Sequence, residues 1–157
     1  MSGCCVDRCE RPAPDRQAGF CPQCGQKGKS VSTLTVKSLV RGHTRVAPGT
    51  YFFCRTPDCQ VVYFSESGLF LKPDLKVRVG LKETEDPIPL CYCFDYTRAD
   101  IRRDVEGRGS TDILEGIKAE VKAGFCACEV KNPSGDCCLG EITRALQEAK
   151  ALLVIRR

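Results

Sequence analysis

The chain has 157 residues and 13 cysteines, an odd count that excludes complete internal disulfide pairing. Its net charge of +4 comes from 24 basic and 20 acidic residues that are interspersed, so no dense basic stripe is offered to nucleic acid. No apolar run approaches the roughly 20 residues of a membrane span, and seven phenylalanines, four tyrosines and no tryptophan make a thin aromatic core that needs a staple.

Residues 1–17, MSGCCVDRCERPAPDRQ, carry Pro12, Pro14 and alternating charges and read as a flexible lead. They hold no apolar run of a signal peptide, and a thiol-rich chain in a reducing compartment uses its cysteines for metal, so a cytoplasmic location is expected. Cys4, Cys5 and Cys9 are read either as incidental thiols or as a soft-metal site. From Val31 to Val79 the pattern is β. TLTV (33–36), TYFFC (50–54), QVVYF (60–64) and LKVRVGL (75–81) are rich in β-branched and aromatic residues, and Leu75, Val77 and Val79 alternate with Lys76 and Arg78. In KETEDPIP (82–89), Pro87 and Pro89 interrupt any ladder or helix, which places a boundary between 18–86 and 87–157.

Beyond Cys93 the period becomes helical. Thr97 with Asp100 three residues on predicts a helix start followed by Ile101 and Val105, with Gly107 and Gly109 at its end. Ser110–Thr111–Asp112 opens a second helix with Ile113, Ile117 and Val121 on one face and Gly124 past its end. A third begins near Gly140, with Ile142, Ala145, Leu146, Ala149 and Leu153 at helical steps. The chain therefore reads as an α+β protein: a small zinc-bound β-rich module followed by a helical iron–sulfur module.

Two cysteine constellations carry that reading. Cys21-Pro-Gln-Cys24-Gly is a tight knuckle that aims two thiolates at one ion, and Cys54 and Cys59 follow at a strand junction; four thiolates make a closed tetrahedral zinc site with no open position for catalysis. Cys91-Tyr92-Cys93 has a one-residue gap, which suits two thiolates on one iron of a cluster. GFCACEVKNPSGDCCLGEI adds Cys126, Cys128, Cys137 and Cys138 around an NPSG turn, and a [2Fe–2S] cluster takes four cysteine thiolates. Cys93 and Cys138 both precede helix starts, where unpaired N–H groups favour a net-negative cluster. Tyr92 is read either as packing on the cluster sulfurs or as an ordinary core tyrosine. His43, the sole histidine, has no nucleophile partner by composition and reads as a surface loop residue.

The pieces CPQC, YFFCRTPDCQVVYF, LKVRVGLKETEDPIPLCYC and CEVKNPSGDCC, in this order and spacing, resemble the amino-terminal domain of CopZ-type copper chaperones, whose second half is similar to bacterioferritin-associated ferredoxin. The resemblance covers about three quarters of the chain. It implies a zinc ion on Cys21, Cys24, Cys54 and Cys59, and a [2Fe–2S] cluster on Cys91, Cys93, Cys128 and Cys138, with Cys126 and Cys137 as the alternatives if the register differs by one. It also implies reduction of Cu(II) to Cu(I) and delivery to a copper-transporting ATPase or a separate copper-binding domain. The family's M-x-C-x-x-C copper loop is not in this sequence, whose one methionine is Met1. One-electron transfer in metal handling is thus the expected role, an electron-transfer or metallochaperone type of activity rather than an enzyme's. The rival is a zinc-ribbon-type binding module for protein or nucleic acid with no redox activity, against which the mild charge and scattered aromatics count in the case of nucleic acid.

Overall fold

The computed structural model describes residues 19–157, so the expected lead and its Cys4, Cys5 and Cys9 lie outside the described residues. Strand β1 (Lys29–Val31) ends at Ser32, whose hydroxyl accepts the Thr35 N–H at 3.2 Å and caps helix α1 (Thr33–Leu39). TLTV is therefore helical, not the expected strand. Thr35, Val36 and Leu39 are buried at helical steps, and that packing outweighs the β preference of the branched residues.

The chain then returns through β2 (Tyr51–Phe53), β3 (Val61–Phe64) and β4 (Leu69–Leu71). With β1 these form a four-stranded antiparallel meander in chain order, with Ser30 opposite Phe52, Phe53 opposite Tyr63 and Phe64 opposite Leu69. All four residues of β3 are buried because the strand is covered twice. One covering is a core of Val36, Val40, Tyr51, Phe53, Val62 and Tyr63; the other is a cluster of Cys21, Cys54, Cys59, Val61 and Phe64.

The segment 75–81 is not the strand that its alternation predicts. Leu75 makes one bridge, to Val40, and the chain then enters a 3-10 turn, Gly80–Lys82. Leu75 and Val79 are buried while Lys76 and Arg78 are exposed, so the alternation reports sidedness correctly. A side chain takes the place of a neighbouring strand: the Tyr92 hydroxyl donates to the Arg78 carbonyl at 2.7 Å and accepts the Gly80 N–H at 2.9 Å. Gly80 has to be glycine, since a Cβ there would lie 2.0 Å from the Pro89 carbonyl oxygen.

The second half does not begin as purely helical. Pro89, the expected break, is instead the first residue of β5 (Pro89–Cys91), a position where a missing N–H is tolerated, and β5 pairs antiparallel with β6 (Tyr96–Thr97). Helix α2 (Arg98–Arg108) starts in a reciprocal cap: Thr97 Oγ1 accepts the Asp100 N–H at 3.3 Å, and the Asp100 carboxylate accepts the Thr97 N–H at 2.8 Å. Gly109 ends it at φ 75°, as the glycine signal implies. Helix α3 (Ile113–Lys122), a single turn α4 (Cys128–Lys131) and the long α5 (Leu139–Ile155) follow. Ile101, Val105, Ile117, Ile142 and Ala145 make the helical core, in which Leu90 and the Cys91 and Cys138 side chains are embedded. Among the described residues no helix is long and apolar enough to cross a membrane.

The 126–138 loop reaches back to the sheet. Tyr63, fully buried, donates its hydroxyl proton to the Pro133 carbonyl at 2.5 Å, and Lys29 bonds the Ser134 carbonyl at 2.9 Å and the Asp136 carboxylate at 2.8 Å. Burial holds the Tyr63 phenol proton on far above the ordinary range. Asn132 closes the NPSG turn, its side-chain oxygen accepting the Ser134 N–H and its amide donating to the Asp136 carbonyl.

Replacing Thr97 with alanine removes one half of the α2 cap, and chemical denaturation at neutral pH is expected to show a loss of about 1 kcal/mol. Burial raises the Asp100 carboxyl, but hydrogen bonds from Thr97 and the Arg103 guanidinium outweigh it and hold the group below the ordinary carboxylate value. Its contribution is therefore complete above the unfolded value near about 4 and is lost as pH falls through the lower folded value. Asp100→Asn flattens this acid limb of the stability profile; an unchanged limb contradicts the assignment.

Candidate metal centres

The amino-terminal thiols converge from two loops. The Cys21–Cys24 knuckle is tightened by the Cys21 carbonyl, which accepts the Gly25 N–H at 2.9 Å, and Cys54 follows the last residue of β2. Cys59 closes the Thr56–Pro57–Asp58 turn just before β3. The four sulfurs lie within 4.8 Å of one another. Cys21 Sγ and Cys59 Sγ are 3.8 Å apart, and Cys24 Sγ and Cys54 Sγ are 3.6 Å apart. A tetrahedron with zinc–sulfur bonds of about 2.3 Å has edges of about 3.8 Å, so the donor set fits zinc in chemistry and in size.

Backbone and side-chain donors surround these sulfurs. The Thr56 hydroxyl is 3.2 Å from Cys24 Sγ, a contact that sequence reasoning did not identify. Burial pushes the Cys24 thiol up, but Thr56, the Gln26 N–H and the neighbouring Cys21 and Cys54 outweigh it and bring the thiol down to about 6. Burial drives Cys59 up to about 12 and raises Cys21 as well. One thiol lowered beside others raised is what crowded sulfurs do when they share protons that a cation would replace.

Among the later cysteines the structure shows one sulfur–sulfur contact, and the compact four-sulfur group is found at the first site alone among the described residues. Cys93 Sγ lies 3.6 Å from Cys128 Sγ and accepts the Ala127 N–H at 3.2 Å. Cys91 and Cys138 share the helical core, and the Cys138 thiol, with N–H groups of Phe94 and Cys93, brings the Cys91 thiol down to about 6 against the effect of burial. Cys138 is raised, first by the Cys91 sulfur and then by burial, and burial raises Cys128 to about 12. The hairpin between Cys91 and Tyr96 turns at Asp95, whose φ is 58°.

Cys91 and Cys93 come from the β5–β6 hairpin, Cys128 from the start of α4, and Cys138 from the residue before α5. Cys91, Cys128 and Cys138 are buried and Cys93 is half-buried. Cys137 is exposed and lines an open cleft of about 670 Å³ with Lys29, Tyr92 and Glu141. Cys126 is half-buried and makes no hydrogen bond to another thiol among the described residues. All ten cysteines of the described residues are free. Four cysteines from the hairpin and the two helix starts, one of them accepting the Ala127 N–H, are in number and type a donor set suited to a two-iron cluster. Tyr92 turns its hydroxyl to Arg78 and Gly80, and His43 lies exposed in a 3-10 turn.

A β-rich half carrying a four-cysteine site, followed by helices, defines a small metal-binding protein. Comparison with known proteins gives the family. Residues 18–76 match the CopZ-type zinc-finger family, described as a zinc binding domain. The chain is 39% identical over 125 residues to the copper chaperone CopZ of Archaeoglobus fulgidus, an alignment covering 79% of this chain and 60% of that protein. The X-ray structure of the A. fulgidus CopZ N-terminal domain superposes with a TM-score of 0.67 at 38% identity, over 80% of this chain and 95% of that one. The chain belongs to the family of CopZ-type chaperone N-terminal domains, and it spans 60% of the length of the curated relative.

Cys54→Ser removes one vertex of the first tetrahedron. Elemental analysis is expected to fall from one zinc per chain to a small fraction of that, and the melting temperature is expected to fall with it, because an incomplete site loses metal and the sheet loses its staple. A variant that keeps full zinc and melts like the parent rules out Cys54 as a ligand.

Proposed function

We propose that this chain is a zinc and [2Fe–2S] protein of copper handling, which passes single electrons to Cu(II) and hands on Cu(I). Its units are a zinc module, 18–86, held by Cys21, Cys24, Cys54 and Cys59, and an iron–sulfur module, 87–157, held by Cys91, Cys93, Cys128 and Cys138. The observation that supports this reading is the Cys93–Cys128 sulfur contact, with the Ala127 N–H on Cys93, beside Cys91 and Cys138 in one buried core. Likeness to a copper chaperone supports copper as the substrate, and the recipient in this reading is a copper-transporting ATPase or a separate copper-binding domain.

A cluster bound there supplies one electron per cycle, which balances the conversion of one Cu(II) to one Cu(I). The chain's own residues do the rest. The Ala127 N–H directed at Cys93 Sγ, and the Phe94 and Cys93 N–H groups directed at Cys91, stabilise negative charge on sulfur. Ile101 and Ile142, both fully buried, exclude water from the side of Cys91 and Cys138. Cys93, half-buried, is the thiol of these four nearest to solvent and so marks the edge where an electron enters or leaves. In the zinc module four thiolates close the coordination sphere, and zinc does not change oxidation state, so that module holds the other in place.

Protein purified without oxygen is expected to contain two irons and one zinc per chain, to bleach with dithionite, and to show a paramagnetic signal when reduced. Cys128→Ser and Cys138→Ser lose the colour, whereas Cys126→Ser and Cys137→Ser keep it. Adding Cu(II) to the reduced protein yields one Cu(I) per chain, trapped by a Cu(I)-selective chelator, as the visible absorption recovers. Colourless protein with two zinc ions per chain contradicts the iron–sulfur reading and leaves a binding module.

A further inference from the structure

Lys82 is a lysine with 5% of its surface exposed, at the end of the Gly80–Lys82 turn. Its ammonium donates to the Thr56 carbonyl at 2.6 Å and to the Cys59 carbonyl at 3.1 Å. Among the described residues no carboxylate pairs with it. The adjacent Glu83 is turned to Lys72 and Arg78 instead, at 3.1 Å and 3.2 Å. A buried ammonium with carbonyl dipoles alone for company is costly, and a lysine is retained in such a place when net negative charge lies close by. The carbonyls it holds belong to the turn between Cys54 and Cys59, in which Thr56 also directs its hydroxyl at Cys24 Sγ.

We infer that Lys82 is the counter-charge and clamp of the four-cysteine centre. This rests on the zinc reading given above. Zinc with four thiolates is a dianion, and three of those four cysteines are buried beside the sheet. The ammonium, seated on two carbonyls of the Cys54–Cys59 loop, offsets that charge. Its two hydrogen bonds also brace a loop with four residues between its ligands, wider than a two-residue knuckle and so less rigid by itself. Lys82 acts through Thr56 and Cys59 and is a positioning residue, not a ligand.

The test compares wild type with Lys82→Met, which removes charge and donors; with Lys82→Gln, which keeps N–H donors for the buried carbonyls; and with Val36→Ala, a core change in the same half away from the sulfurs. Zinc transfer to a chromophoric chelator is timed, and the thiolate-to-metal bands of the cobalt(II)-substituted proteins are recorded. Both Lys82 variants are expected to release zinc about 10-fold faster or more, with bands moved to lower energy, while Val36→Ala lowers the melting temperature and leaves the bands in place. Release and bands equal to wild type in both Lys82 variants overturn the inference, as does a Val36→Ala protein that matches them in both readouts. Wild type purified without zinc overturns the zinc reading and this inference with it; wild type with zinc and unaffected Lys82 variants overturn only the inference.

Discussion

The convergence of four thiols from two loops is the interaction on which the amino-terminal half depends. Its strands are three or four residues long, and such short pairings are marginal without a covering layer. Helix α1 covers one side of β3 with an apolar core. The other side has Val61, Phe64 and the cysteine side chains, with half-buried Phe52 and Leu71 at their edge. Left as thiols, these sulfurs are crowded polarisable groups whose proton affinities are driven apart by burial and by each other. A single divalent cation turns this crowding into four bonds and completes the missing layer.

That half in turn sets the geometry of the later cysteines. Cys128 and Cys138 flank a loop whose turn is fastened to the sheet by Tyr63 at Pro133 and by Lys29 at Ser134 and Asp136. Cys91 and Cys93 sit on a hairpin joined through the Tyr92 hydroxyl to the 78–80 segment. The Cys93–Cys128 contact therefore takes one member from the hairpin and one from the fastened loop.

The sequence was most legible where chemistry is local. CPQC, the Thr97–Asp100 cap and the NPSG turn each fix their geometry within a few residues, and each is found where it was expected. The convergence of Cys21 and Cys24 with Cys54 and Cys59 was readable from ligand count and spacing. Misreadings arose where the partner is distant. TLTV has strand-like residues, but the Ser32 cap and the inward face of Val36 and Leu39 make it a helix. LKVRVGL has a strand's alternation without a strand's neighbour, because periodicity reports which side is buried and not what the backbone bonds to. The β5–β6 hairpin was hidden by Pro89 and by its own brevity. Lys82 gave no signal, since a lysine in a charged stretch looks like solvated surface until the fold folds it inward.

A redox centre gains from being built on a frame that does not itself respond to the electron. Zinc in a closed sulfur tetrahedron has no accessible second oxidation state. In the reading proposed for this chain, the turn containing Gly80 and Lys82 connects the two centres mechanically. Lys82 holds the zinc loop at one end, and Gly80 meets Tyr92, between Cys91 and Cys93, at the other. The close approach of Gly80 to the Pro89 carbonyl leaves this connection little slack. The four-cysteine loop is thus joined through this one turn to the hairpin that carries Cys91 and Cys93.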